Sequence, residues 1–483
     1  MAEITNIAYN NTAAFIEAMP KKQRKEYGQF FTSPHTADFM ASLFVLDANI
    51  HNLNILDAGA GSGILGIALI ANLRESGYTD RIFLVCYETD ENVIPILEKN
   101  LAIAKERYDI TYTIKQENYI TSQDFSTDET SCVYDIIIGN PPYKKISKDA
   151  IEAKAMPQVC YGAPNLYFLF WAMGLKNLKE GGEMVYIIPR SWTSGAYFER
   201  FRAYLLQNGV IVHIHLFGSR DKVFDGESVL QETIIVKMKK TTVKPESVKM
   251  TYSTTSDFSD IISYPVKYDS VVGTNGYVYL ITNKKEEEVL DKLGKFDNTL
   301  VSDNLRMKTG LIVDFRTRDV LRDTPSNDTY PLLYSQHIQQ GRVCWPIGKE
   351  AEYIDTKRQG FLQENTNYLL VKRFTAKEEK RRLQCGIYLK KDHPDFEYIS
   401  TQNKVNFIKC DTPELAYGLF VIMNSTIYDI YYRILNGSTQ VNSTEINNMP
   451  VPDTKIITAM GKQLMDMELT ENNCNKILKQ WIR

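Results

Sequence analysis

Residues 53–63, Leu-Asn-Ile-Leu-Asp-Ala-Gly-Ala-Gly-Ser-Gly, constrain the fold of this chain more than any other stretch. An apolar run of strand length ends at Asp57. Glycines follow at 59, 61 and 63, and the apolar residues from Ile64 to Leu73 then suggest a helix. Glycine lets the backbone turn tightly and approach a ligand that a side chain would block. The helix that follows presents free N–H groups at its amino end. The same grammar recurs downstream. Strands are expected at Ile82–Tyr87, Thr111–Lys115, Asp135–Ile138, Met184–Ile188, Ile211–Phe217 and Glu232–Lys239. Helices are expected near Val93–Ala104 and over Leu166–Leu178, the latter followed by Gly181-Gly182 and then its strand. Such alternation predicts an α/β fold built on a doubly wound, mostly parallel sheet. Ligands of such sheets sit beyond the carboxyl ends of the strands. The glycine loop, Glu88 and Asn140-Pro141-Pro142-Tyr143 all fall at such ends.

Past residue 240 the pattern changes. Val248–Tyr252 and Tyr277–Leu280 read as strand-like pieces ahead of a charged helix, Lys284–Leu293, so residues 241–300 are read as a junction. Beyond it, strand, turn and helix signals mix without alternation. The expected organisation is a catalytic domain at 1–240, the junction, and a mixed α+β domain at 301–483, in keeping with a length well above that of one domain. No apolar run approaches the ~20 residues that span a bilayer, and no basic-then-apolar signal opens the chain. A cytoplasmic protein without membrane contact is expected. The seven cysteines are scattered and form no CxxC pair, which argues against a disulfide framework or a structural zinc. No metal is expected.

A net charge of −3 excludes a chain that coats nucleic acid by charge alone. The charge is uneven, however. Between Lys357 and Lys391 ten Lys and Arg residues face only Glu364, Glu378 and Glu379. Lys372, Arg373, Arg381 and Arg382 are the candidates for phosphate contact within it, although a solvated helix face produces such a run as readily.

Two motifs carry chemistry. Glu88, at the end of the second strand, can accept hydrogen bonds from both ribose hydroxyls of an adenosine-containing ligand. Gly61-Ser-Gly63-Ile-Leu-Gly66 also satisfies GxGxxG, which keeps a nicotinamide dinucleotide in competition. Asn140-Pro141-Pro142-Tyr143 points to a different reaction. An amino group on an aromatic ring is a poor nucleophile, because its lone pair is delocalised. Two acceptors that hold its hydrogens draw the nitrogen toward tetrahedral geometry. The amide oxygen of Asn140 and the carbonyl of Pro141 can do this, with the prolines fixing the backbone. Tyr143 offers a flat face to a base drawn out of a duplex. The plain alternative is a proline turn after a strand.

Together with Tyr27-Gly-Gln-Phe-Phe31-Thr32-Ser33-Pro34, these motifs resemble the gamma class of amino-directed DNA methyltransferases, motif by motif over residues 24–240. The resemblance implies the class I S-adenosylmethionine-dependent methyltransferase fold, followed by a target-recognition domain. It implies S-adenosylmethionine as methyl donor, no metal, and double-stranded DNA as partner. The reaction it implies is site-specific methylation of the 6-amino group of adenine after base flipping, protecting DNA from a separately encoded cognate restriction endonuclease. Thr32 is then expected against the methionine part of the cofactor. Asp57, Gly59, Gly61 and Gly63 form the cofactor loop, Glu88 holds the ribose, and Phe170 of Asn165-Leu-Tyr-Phe-Leu-Phe170 packs on the adenine. Asn118-Tyr119 stands where the family carries an acid followed by an aromatic. The acid binds the cofactor's adenine amino group, and an Asn carbonyl can still accept that bond. Phe224 is the implied second aromatic, so that the extruded adenine lies between Tyr143 and Phe224.

In the last third, Pro331–Ile338 and Asn436–Gln440, the latter leading to Met449-Pro-Val-Pro452, are candidate base-reading pieces or plain turns. A monomer is expected. Related Asn-Pro-Pro-Tyr enzymes act on a protein glutamine or on guanine in ribosomal RNA, and a non-catalytic DNA-binding module is a further alternative. The amino-terminal motif and the large final domain favour DNA, and the intact cofactor motifs speak against a decayed module. No Pro-Cys pair occurs, which excludes a cytosine carbon-5 mechanism.

Overall fold

A computed structural model describes residues 2–18, 20, 31–45, 50–126, 132–218, 233–376, 379–436 and 439–482. The chain forms two units, Met1–Thr282 and Asn283–Arg483. Nine strands of the first unit make one sheet: β1 (Leu53–Ala58), β2 (Ile82–Tyr87), β3 (Thr111–Lys115), β4 (Tyr134–Gly139), β5 (Leu178–Pro189), β6 (Val210–Phe217), β7 (Thr233–Lys239), β8 (Ser247–Ser253) and β9 (Ile262–Lys267), in the order β3-β2-β1-β4-β5-β7-β6-β8-β9. β1 to β5 run parallel. β7 enters antiparallel between β5 and β6. Strand order reverses between β1 and β4, which is where a doubly wound sheet opens its ligand crevice.

The near-continuous apolar runs of β1, β2 and β4 have a simple cause. Each is covered on both faces, as central parallel strands are. On one face lie the helices α1 (Ala2–Ala18), α2 (Pro34–Ser42) and α3 (Ile64–Glu75), which share one buried cluster with β1 and β2 through residues such as Ile4, Met40, Ile67 and Leu84. α4 (Ile94–Tyr108) contributes Leu97 and Leu101 to it. α5 (Ile151–Ala155) is one short turn. α6 (Leu166–Asn177) is buried from Tyr167 to its end, so its apolar residues run all the way round it.

Two expectations are corrected here. Gly181-Gly182 is not a break between helix and strand: α6 ends at Asn177 and β5 begins at once. Between paired positions Tyr134–Leu178 and Ile136–Glu183 the register slips, and the glycines sit in that bulge. Residues 241–282 are likewise not a junction. β8 pairs with β6 and β9 with β8, extending the sheet. β9 carries Pro265, which an edge strand tolerates, and Tyr277–Leu280 forms only an isolated bridge at Val278.

The second unit holds sheets of six, five and two strands. Its helices include Pro413–Met423, Thr426–Leu435, Thr454–Leu464 and Glu471–Leu478. Helices Pro413–Met423 and Thr454–Leu464 touch backbone to backbone at glycines, since a Cβ on Gly461 would stand 1.7 Å from the Glu414 oxygen. Among the described residues no helix is long and apolar enough to cross a membrane.

Candidate active site

At the carboxyl edge of β1, β2, β3 and β4 lies a cavity of about 500 Å³, within the usual range for small-molecule sites. Gly59 and Gly61 form one wall. The loop they belong to is tied to β2: the N–H groups of Gly59 and Ala60 both donate to the Tyr87 carbonyl at 2.9 Å. Any other residue at Gly63 would be strained, because its φ is +80° and an added Cβ would lie 2.7 Å from Leu97 Cδ1. Asp57 does not line the cavity. Buried behind the loop, it accepts the Gly66 N–H at 3.1 Å and so braces the first turn of α3. Its other oxygen finds no partner among the described residues. Burial, with the charge of Glu88 adding, pushes its carboxyl up to about 8.

Glu88 lines the cavity and is 8% exposed. One of its oxygens accepts Thr89 N–H and Asp90 N–H at 2.7 and 2.9 Å, and the other accepts Gly61 N–H at 2.9 Å. A carboxylate offers roughly four acceptor positions. These three N–H groups leave about one of those positions to the cavity.

The Asn-Pro-Pro-Tyr turn reaches the same cavity through Asn140 and Pro142. A Cβ on Gly59 would lie 3.8 Å from Pro142 Cδ and 3.5 Å from Phe170 Cε1, so loop, turn and α6 meet at one point. The Asn140 amide is held at both ends. Its Nδ2 donates to Thr32 Oγ1 at 3.1 Å, and the Tyr143 hydroxyl stands 2.9 Å from its Oδ1. Thr32 is buried, next to Ser33, which caps α2. The Tyr143 hydroxyl is also 2.9 Å from the Ile187 carbonyl, and its single proton serves one acceptor at a time. Burial holds that phenol well above its ordinary value. Among the described residues the Pro141 carbonyl accepts no hydrogen bond. The start of α6 clamps the turn: Asn165 Nδ2 donates to the Tyr143 carbonyl and Leu166 N–H to that of Lys144. The Tyr143 ring is half-buried and edge-on to Tyr167. Phe224 lies outside the described residues.

The far wall carries Phe170 and Tyr119, with ring centroids 5.5 Å apart. Asn118 departs from expectation. Its Oδ1 accepts the N–H groups of Ile120 and Thr121 at 3.0 and 3.3 Å, so the carbonyl is not turned to a ligand. Its Nδ2 donates to Glu152 Oε1 at 2.9 Å. Glu152, from α5, lines the cavity too. The sequence reading missed it, because a lone Glu 34 positions downstream belongs to no motif.

In the second unit the basic run divides. Arg382 is 1% exposed, with Nε on Thr375 Oγ1 at 3.2 Å and its guanidinium over the Tyr432 ring. Arg381 donates to the carbonyls of Met423 and Ser425 at 3.0 and 3.1 Å and pairs with Glu471 at 3.0 Å. The expectation that this pair contacts DNA is therefore corrected: Arg381 satisfies carbonyls left over at a helix end, and Arg382 is turned inward against Thr375 and Tyr432. Lys372 and Arg373 remain half-exposed, Arg373 donating to the Asn403 carbonyl at 3.0 Å. Of the candidate base-reading pieces, His337 and Asn436 are interior. His337 Nδ1 accepts Tyr334 N–H, so the proton sits on Nε2, 2.7 Å from Glu352. Asn436 binds the Gln440 carbonyl. Gln336 and Thr439 are exposed.

The sequence model of the Eco57I restriction-modification methylase family matches residues 69–224. The chain is 36% identical over 464 residues to the type II methyltransferase M.BsuBI of Bacillus subtilis, covering 92% of this chain and 91% of that protein. It is 33% identical over 479 residues to the type II methyltransferase M.PstI of Providencia stuartii, covering 95% and 93%. Among solved structures, the type IIL restriction-modification enzyme MmeI in complex with DNA aligns over 99% of this chain and 73% of that one, with a TM-score of 0.52 and 10% identity. That likeness concerns the fold alone.

Proposed function

We propose that this chain, which belongs to the type II DNA methyltransferases of restriction-modification systems, methylates the 6-amino group of adenine in duplex DNA. The fold is that of class I S-adenosylmethionine-dependent methyltransferases, with a second, mixed α+β unit. The observation that carries the choice of an amino group is the Asn140–Pro142 turn, whose Asn140 and Pro142 lie on the wall of the glycine-lined cavity. Two acceptors fixed at one edge suit an NH₂ group and stabilise the charge that builds on its nitrogen.

S-adenosylmethionine, when bound, supplies an electrophilic methyl group on a sulfonium. The cavity fits it. The Gly59–Gly61 backbone leaves room for close approach, Glu88 keeps one acceptor position for a ribose hydroxyl, and Tyr119 and Phe170 offer flat faces to a purine. Asp57, behind the loop, braces the first turn of α3 and so holds the glycine backbone in place. Thr32 supports the methionine end and, through its bond to Asn140, fixes the catalytic amide. Asn140 Oδ1 and the Pro141 carbonyl take the two amino hydrogens of the extruded adenine. Tyr143 gives its hydroxyl proton to the Ile187 carbonyl, which leaves Asn140 Oδ1 to the substrate. The Tyr143 ring stacks on one face of the base and Phe224 on the other. The amine is the nucleophile, no covalent enzyme intermediate forms, and the surplus proton leaves to solvent. The second unit, through Lys372 and Arg373, contacts the DNA backbone. The protein acts as a monomer, and a separately encoded endonuclease is its functional counterpart.

The test is to express the protein in a methylation-free host and to sequence the modified DNA with base and atom resolved. 6-Methyladenine confined to one short sequence is expected. 4-Methylcytosine, or unmodified DNA with methylated RNA or protein, overturns the adenine reading.

A further inference from the structure

A bound purine with an exocyclic amino group needs an acceptor for its N–H bonds, since a buried donor without one costs the full desolvation of that group. Asn118 cannot serve. Two backbone N–H groups, from Ile120 and Thr121, converge on its Oδ1. Turning the amide over would set an NH₂ against both of them, so its orientation is forced. What Asn118 presents to the cavity is therefore a donor, Nδ2, and that donor is spent on Glu152 Oε1 at 2.9 Å.

We infer that Glu152 is the residue that receives the amino group of the cofactor's adenine, and that Asn118 is the positioning residue that aims it. This rests on the cofactor reading above. Three observations converge. Glu152 lines the same cavity as Phe170 and Tyr119, whose rings would flank the purine. Only one of its two oxygens is engaged by a described residue, which leaves Oε2 for a ligand. Its side chain is half-buried and tethered, so part of the entropy of ordering a free surface glutamate is already spent. Discrimination follows from charge. A carboxylate attracts an amino group and repels a carbonyl oxygen at the same position. The acceptor has thus moved from the residue after β3 to α5, a segment 34 positions further along.

The experiment is calorimetric binding of two probes, S-adenosylhomocysteine and S-inosylhomocysteine, which differ by a 6-amino against a 6-oxo group. Each variant's ratio of affinities is internal to that variant, so general damage cancels. Wild-type protein is expected to prefer the adenosyl compound by about tenfold or more. In Glu152→Gln the amide oxygen stays on Asn118 and its NH₂ faces the ligand, so the preference falls to parity or inverts. Glu152→Ala abolishes it, and Asn118→Asp on that background restores it by returning an oxygen to the gap. Wild-type ratios in both Glu152 variants overturn the assignment while leaving the cofactor reading intact. Wild-type protein that binds neither probe overturns both.

Discussion

Glu88 and Arg382 are both charged, both nearly inaccessible and both surrounded by hydrogen-bond partners, yet only Glu88 faces a cavity. The difference lies in the elements that hold them. Glu88 follows directly on β2, and a residue at the carboxyl end of a parallel strand projects past the sheet whatever packs around it. Arg382 comes from an irregular segment between strands Asn367–Lys372 and Cys385–Tyr388. Its backbone N–H donates to Asp429, and its guanidinium lies against Thr375 Oγ1 and the Tyr432 ring. A charge in such a place turns to whichever nearby polar and aromatic groups can hold it. In the first unit topology assigns the chemistry; in the second, local hydrogen-bond demand does.

If that contrast is right, the two units should fail in different ways. Asn140→Ala should reduce methyl transfer by about 10³-fold, the scale of a lost oriented acceptor, while S-adenosylhomocysteine binding stays within about threefold and stability changes by less than about 1 kcal/mol. Single-turnover transfer of labelled methyl to duplex DNA measures it, and a loss carried by binding instead would move Asn140 to the cofactor. Arg382→Ala should do the reverse. Breaking a buried, hydrogen-bonded charge costs about 3 kcal/mol, read as a lowered urea midpoint. The salt dependence of DNA binding should stay unchanged. A normal midpoint with a flattened salt slope would return Arg382 to the DNA surface.

The pattern of strands and the place of the cavity were legible because each strand end is marked locally, by glycines after β1, Glu88 after β2 and Asn140 after β4. What could not be read were contacts set by partners far along the chain. The turn that spends the Asn118 carbonyl on Ile120 and Thr121 N–H is local, but the carboxylate its Nδ2 tethers, Glu152, is not. That Thr32 also holds the amide of Asn140, 108 positions away, is written nowhere in its motif. Val248–Tyr252 reads as a strand but within a junction, because the pairing of β8 with β6 depends on the sheet already formed, which periodicity after residue 240 does not report. Arg381 and Arg382 have the composition of a phosphate site, and composition is silent on which way a side chain turns.

The first unit should also be acid-sensitive at β6, outside the residues that line the cavity. His213 and His215 share the Thr251 hydroxyl, at 2.7 and 2.9 Å, and burial pulls them down to about 4 and about 3. Against an ordinary value near 6.5, the unfolded chain binds more protons than the folded one between pH ~6.5 and ~3. Stability therefore falls as pH falls through that window and levels below it. Between pH 7 and 5 a loss of about 2 kcal/mol for each histidine, about 4 kcal/mol for the pair, is expected, seen in urea titrations. His215→Gln should reduce that slope, and an unaltered one would place the pH dependence elsewhere.

The smallest effect expected concerns the exposed cations of the second unit. Lys372 pairs with Val405 across adjacent strands, and Arg373 N–H donates to the Lys404 carbonyl. Lys372 is half-exposed, while Lys404 and, beside Arg373, Phe374 are exposed. This edge keeps cations in water where Arg381 and Arg382 do not. Each phosphate that is no longer neutralised should lower the slope of log affinity against log salt by about 0.9. Lys372→Ala with Lys404→Ala should therefore flatten it by about 2 and weaken binding by about tenfold near physiological salt. The weakening should be uniform across sequences, because phosphate contacts carry no base information. Fold stability should stay within about 0.5 kcal/mol, since neither side chain is buried. A sequence-dependent weakening would make the edge a reader of bases. An unchanged slope would leave the basic run with no part in DNA binding, and the contrast between the units would then extend to every one of its arginines and lysines.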